Sequence, residues 1–98
     1  MEYIYNILNI NEEQRWITLV SNDEFDCEEP DSFFHFLQRI RRGVRGTIKE
    51  LGEMRYQIPE DNLGLVYQWD EVFCISIIYP QTVSKEIVID FLEKYFVE

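Results

Sequence analysis

The chain has 98 residues, with nineteen Asp and Glu against nine Lys and Arg, a formal net charge of -10, and 46% hydrophobic residues. That length supports one domain with one core, burying roughly 60–65% of the surface the unfolded chain exposes. Seven Phe, six Tyr and two Trp exclude a disordered acidic chain, which lacks the apolar surface to offset its ordering entropy.

Apolar residues alternate through Tyr3, Tyr5 and Ile7 and again from Trp16 to Val20, with the polar run Asn11-Glu12-Glu13-Gln14 between them. This predicts a first hairpin, since the β-branched and aromatic content favours strand over a short helix at residues 1–10. Phe33, Leu37, Ile40, Val44, Ile48 and Leu51 then recur at steps of three and four and predict a helix from Asp31 to Leu51. Pro30 and the acids Glu28, Glu29 and Asp31 suit its positive end. Gly43 and Gly46 each cost about 1 kcal/mol relative to Ala inside a helix, and they mark a kink or a close approach rather than its end.

After Pro59-Glu60-Asp61-Asn62, the segments Leu63–Trp69 and Val72–Tyr79 flank Asp70-Glu71 and predict a second hairpin. Phe73, Ile75, Ile77 and Tyr79 share one face. The other, Val72, Cys74, Ser76 and Ile78, is also largely apolar, as in a central strand covered on both sides. Pro80 ends it. Thr82 is placed to cap a last helix whose apolar face is Val83, Ile87, Val88, Phe91, Leu92 and Tyr95. The expected fold is a single α+β domain over residues 1–98, in the order ββαββα, with a mostly antiparallel sheet packed by two helices.

No apolar stretch approaches the ~20 residues that span a bilayer. Glu2 stands where a secretory leader needs positive charge, so a cytoplasmic chain is expected. Cys27 and Cys74 match no metal-binding or CxxC spacing and read as two free thiols in a reducing compartment, with one disulfide as the alternative. His35, within Phe33-Phe34-His35-Phe36, has no cysteine near it in sequence. No HExxH, G-x-S-x-G, Walker A or GxGxxG occurs, and no calcium-loop spacing, so no catalytic residue, metal or cofactor is assigned.

The charge falls into three blocks: residues 1–38 carry nine acids and one base, 39–58 six bases and two acids, 59–98 eight acids and two bases. The densest part is Asn22–Asp31, where six of ten residues are acidic: Asp23, Glu24, Asp26, Glu28, Glu29 and Asp31. Like charges so close repel and destabilise the compact state, which a cationic partner would explain. A solvated loop leading into a helix would look the same; the surplus at Glu12-Glu13, Glu60-Asp61 and Asp70-Glu71 is what keeps the partner reading alive. The basic flank from Arg39 to Lys49 contains Gly43-Val44-Arg45-Gly46, a GxxG as in KH domains, but it interrupts a helical stripe, and the net charge opposes phosphate. Trp69 beside Asp70 and Glu71 combines an aromatic anchor with charge, as binding hot spots do, or else covers the end of the core. Trp16 and Tyr67 extend such an anchor if the two hairpins are adjacent.

The compact acidic domain, the pattern Leu63-Gly64-Leu65-Val66-Tyr67-Gln68-Trp69-Asp70-Glu71-Val72-Phe73 and the closing helix together resemble the small immunity proteins of bacterial contact-dependent inhibition and related polymorphic toxin systems. The resemblance implies a cytoplasmic, non-enzymatic protein that binds one cognate toxin domain, often a basic nuclease. No functional residue is transferred by position. The expected contacts are the acidic segment Asp23–Asp31 and Tyr67, Trp69, Asp70 and Glu71. The alternative is an oligomerising interaction module that uses the basic flank or a sheet edge.

Overall fold

Both predicted hairpins form, and each turn is built the same way. In the computed structural model, which describes residues 3–22 and 30–97, β1 (Tyr5–Asn11) and β2 (Trp16–Ser21) pair antiparallel. Asn11 Oδ1 accepts the Gln14 N–H at 3.0 Å, and Arg15 closes the turn with a left-handed φ of 55°. In the second hairpin, β5 (Val66–Asp70) and β6 (Cys74–Ile78), Asp70 Oδ1 accepts the N–H groups of Val72 and Phe73, and Cys74 closes the turn at φ 53°. Asn and Asp are favoured there because a short side chain can satisfy turn N–H groups the ladder leaves unpaired.

The six strands lie in the order β1-β2-β6-β5-β4-β3, every neighbouring pair antiparallel. β6 is central and its residues Cys74 to Ile77 are buried without alternation, as the two-sided apolar pattern requires. The fold is α+β with two helices in the expected order, plus one hairpin more. That extra hairpin, β3 (Lys49–Gly52) and β4 (Arg55–Gln57), occupies sequence the apolar spacing assigned to the helix. α1 (Asp31–Val44) stops because Arg45 adopts φ 55° and the chain closes with Gly46 N–H on the Arg41 carbonyl and Arg45 N–H on that of Arg42. This paired closure satisfies the last carbonyls of the helix. Ile48 and Leu51 therefore continue the three-four spacing without being helical.

Gly43 serves a close approach. A Cβ there would strike the Tyr95 ring, which lies beyond α2 (Lys85–Glu93) and packs onto α1. Ser84, not Thr82, caps α2: its hydroxyl accepts the Ile87 N–H. Thr82 sits in the turn before it, where Val83 N–H reaches the Pro80 carbonyl.

One core joins the sheet to both helices. Cross-strand pairing puts Ile17, Leu19, Ile75, Ile77 and Tyr67 on one face, where Phe33, Phe36, Leu37 and Ile40 of α1 and Val88 and Leu92 of α2 pack. Arg39, though part of the basic flank in sequence, is 6% exposed. Its guanidinium donates to the carbonyls of Tyr3, Tyr95 and Phe96 and lies 5.0 Å from the centre of the Tyr5 ring. Tyr5 N–H also bonds the Phe96 carbonyl, so the start of β1 and the segment after α2 are held together. Among the described residues no helix is long and apolar enough to cross a membrane.

Candidate protein-binding site

Strand register decides which acids share a surface. β5 ends at Asp70 where β6 begins, and the β3–β4 turn is brought alongside by the Trp69 N–H bond to the Met54 carbonyl. β2 ends at the same edge, with Leu19 opposite Ile75. The Tyr5 hydroxyl, opposite the β2 terminus at Ser21, donates to the Ser32 carbonyl and sets the start of α1 there as well. Asp31, Glu53, Asp70 and Glu71 therefore gather at one end of the sheet, where Arg55 also begins β4 opposite Gln68. α1 runs away from that end and carries Arg41, Arg42 and Arg45 toward the other, where Lys49 begins β3.

Of the other acids outside the dense segment, Glu12, Glu60 and Asp61 are at the far end and are engaged there, whereas Glu13 is exposed in the β1–β2 turn. Glu12 pairs with Lys85 at 2.7 Å. Glu60 Oε1 accepts both the N–H and the hydroxyl of Thr47, at 3.1 and 3.0 Å. Asp61 is 6% exposed, with Oδ1 accepting the N–H groups of Leu63 and Gly64 and Oδ2 the Tyr67 hydroxyl at 2.8 Å. Burial, and then the Asp61 charge, push the Tyr67 phenol far above its ordinary value, so it stays a donor. These carboxylates have structural work; they do not extend a partner surface.

Of the residues expected at the partner surface, Asp23, Glu24, Asp26, Glu28 and Glu29 lie outside the described residues. Asp31 is exposed in the first turn of α1, and Glu71 is exposed at the hairpin tip. Asp70 is half-buried and caps its own turn. Tyr67 is a correction: it is fully buried on the helix side of a strand between β4 and β6, so no partner reaches it. Trp69, on the same face, is half-buried and packs on the core, covering its end. The hairpins are adjacent through β2 and β6, but Trp16 and Tyr67 fall on opposite faces because they sit at alternate register positions.

The exposed apolar groups at the β5–β6 turn are Val72, 64% exposed, and Phe73, 45% exposed, and Ile4 and Phe34 are exposed at the same end of the sheet. Alternation counted back from Ile75 places Phe73 in the core. The left-handed Cys74 breaks that alternation and turns Phe73 to the face without helices, where its ring lies 5.5 Å from that of Trp16. A positive φ at a non-glycine residue leaves no mark in composition; the signal on offer was Asp70, whose side chain favours a tight turn of this kind. Cys74 is also disulfide-bonded, which corrects the expectation of two free thiols; the chain's other cysteine, Cys27, lies outside the described residues.

His35 is exposed on α1 with its ring 4.7 Å from that of Tyr3, and among the described residues no group of three or more His, Cys, Asp or Glu is placed to hold a metal ion. Compared with known proteins, the chain matches no family model, no curated protein and no solved structure.

Proposed function

We propose that the chain is an immunity protein, a stoichiometric inhibitor that binds a cationic toxin domain through the acidic end of its sheet. The observation that supports this reading is the uneven spread of charge: Asp31, Glu53, Asp70 and Glu71 collect around the β5–β6 turn, with Arg55 among them, while Arg41, Arg42, Arg45 and Lys49 lie toward the far end. An acidic end of this kind steers a basic nuclease into contact and raises association rates by about 10–10³. Val72 and Phe73, held by the Asp70 turn, supply the apolar contact that slows release. Such a protein has no turnover of its own and acts in the compartment its toxin enters.

The alternative, a self-associating module, needs an open sheet edge. Both edge strands carry irregularities, at Leu8 in β1 and Leu51 in β3, and Lys49 lies on the latter. Bulges and edge lysines blunt strand addition.

The test is to express the chain with the product of the reading frame immediately upstream of its gene. A toxin there, restored growth on co-expression and a one-to-one complex on gel filtration are expected, with association slowing steeply as salt rises. Growth that is not restored, with no complex formed, refutes the proposal.

A further inference from the structure

A second concave surface lies on the helix side of the sheet, away from the face that carries Phe73. It is a cleft of about 280 Å³ between the Asp61–Leu63 turn and α2, lined by Asp61, Leu63, Ile87, Asp90, Phe91 and Lys94. Its volume is near the lower limit of small-molecule pockets, which suits a ligand the size of one amino acid.

The lining divides into three parts. Leu63, Phe91 and Ile87, the last 51% exposed, form an apolar wall. Asp61 contributes a buried carboxylate with three donors already on it; a carboxylate offers about four acceptor positions, so one remains. Asp90 on α2 and Lys94, which follows its last residue with helical dihedrals, stand about one helical turn apart. An acid four residues before a base is the spacing that ordinarily pairs across a helix face. Here neither has an ion-pair or hydrogen-bond partner among the described residues. Two opposite charges left apart over an apolar wall are complementary to a zwitterion with an apolar side chain.

We propose that this cleft binds a free apolar α-amino acid. Its ammonium group meets Asp90, with the Asp61 charge behind and the Phe91 ring beside it; its carboxylate meets Lys94; its side chain covers Leu63 and Ile87. The attraction of a cation to an aromatic face adds to the ammonium contact.

The experiment is an amide-resonance titration of the full chain with L-leucine, isoamylamine and 4-methylpentanoate, which share the isobutyl group and carry, in turn, both charged groups, the ammonium alone and the carboxylate alone. Saturable shifts at Leu63, Ile87 and Phe91 are expected with L-leucine, both analogues binding about tenfold weaker or worse, a difference of about 1.4 kcal/mol. Lys94→Met should reduce L-leucine to the affinity of the amine without changing the amine, and Asp90→Asn should reduce it to that of the acid. Both positions are exposed, and the spectra themselves report whether each variant is folded. The absence of saturable shifts, an amine that binds as tightly as L-leucine, or variants that bind all three compounds as the parent does would each overturn the proposal.

Discussion

Replacing Tyr67 with Phe isolates one interaction. The ring is fully buried and keeps its packing, so no cavity the size of a side chain opens; what is lost is the hydroxyl that donates to Asp61 Oδ2 at 2.8 Å. The two N–H groups on Oδ1 remain, and Oδ2 is left without its donor in a residue 6% exposed. A hydrogen bond to a charged group contributes about 1.5–3 kcal/mol net. For a domain of this size each kcal/mol moves the midpoint by roughly 4–8 °C, so a loss of about 2 kcal/mol lowers Tm by roughly 8–16 °C.

The same pair sets an alkaline limit. The folded phenol holds its proton far more tightly than the unfolded one, so its contribution is fully present below the unfolded pKa of about 10 and declines as pH rises beyond it. Urea unfolding at neutral pH and across the alkaline range measures both effects. Tyr67→Phe should be less stable at pH 7 and should lose less stability than the parent above pH ~10. A neutral-pH change below about 0.5 kcal/mol, or an identical alkaline slope, would refute the argument that this buried pair is an anion held by a protonated phenol.

Arg39→Met removes the donor shared by the Tyr3, Tyr95 and Phe96 carbonyls and should cost about 3 kcal/mol or more in urea unfolding, with faster amide exchange at Tyr5. Gly43→Ala gains about 1 kcal/mol of helix propensity but drives a methyl into the Tyr95 ring; overpacking costs about 1–3 kcal/mol, so net destabilisation is expected, relieved when Tyr95→Ala is added. Ser84→Ala should lose about 1 kcal/mol of stability, whereas Thr82→Ala should fall within about 0.5 kcal/mol of the parent, because only the first caps α2.

The candidate site was legible in part. Glu71 and Asp31 are exposed at the acidic end, as their charge and their turn and helix-start positions lead one to expect. Tyr67 and Trp69 were not separable from a surface anchor by sequence, since an aromatic residue beside acids reads alike whether it faces solvent or core. The face each takes is fixed by β5 lying between β4 and β6, a non-local pairing. Val72 and Phe73 went unassigned because a single left-handed residue, Cys74, shifts the alternation, and neighbouring residues do not encode that shift.

Composition and periodicity by themselves determined the α+β class, the two hairpins, the start of α1, the presence of a closing helix and the central character of the Cys74–Ile78 strand. Burial of apolar side chains imposes periods of two and of three to four on the chain, and those periods can be counted. The tertiary structure alone decided where α1 stops, that Arg39 faces inward to the carbonyls of Tyr3, Tyr95 and Phe96, and which acids stand together. Helix termination rests on one backbone dihedral at Arg45, and the grouping of charges on pairings between strands far apart in sequence. The first is a positive φ at a non-glycine residue, which composition does not mark, and the second is non-local, so neither leaves a pattern in the order of residues.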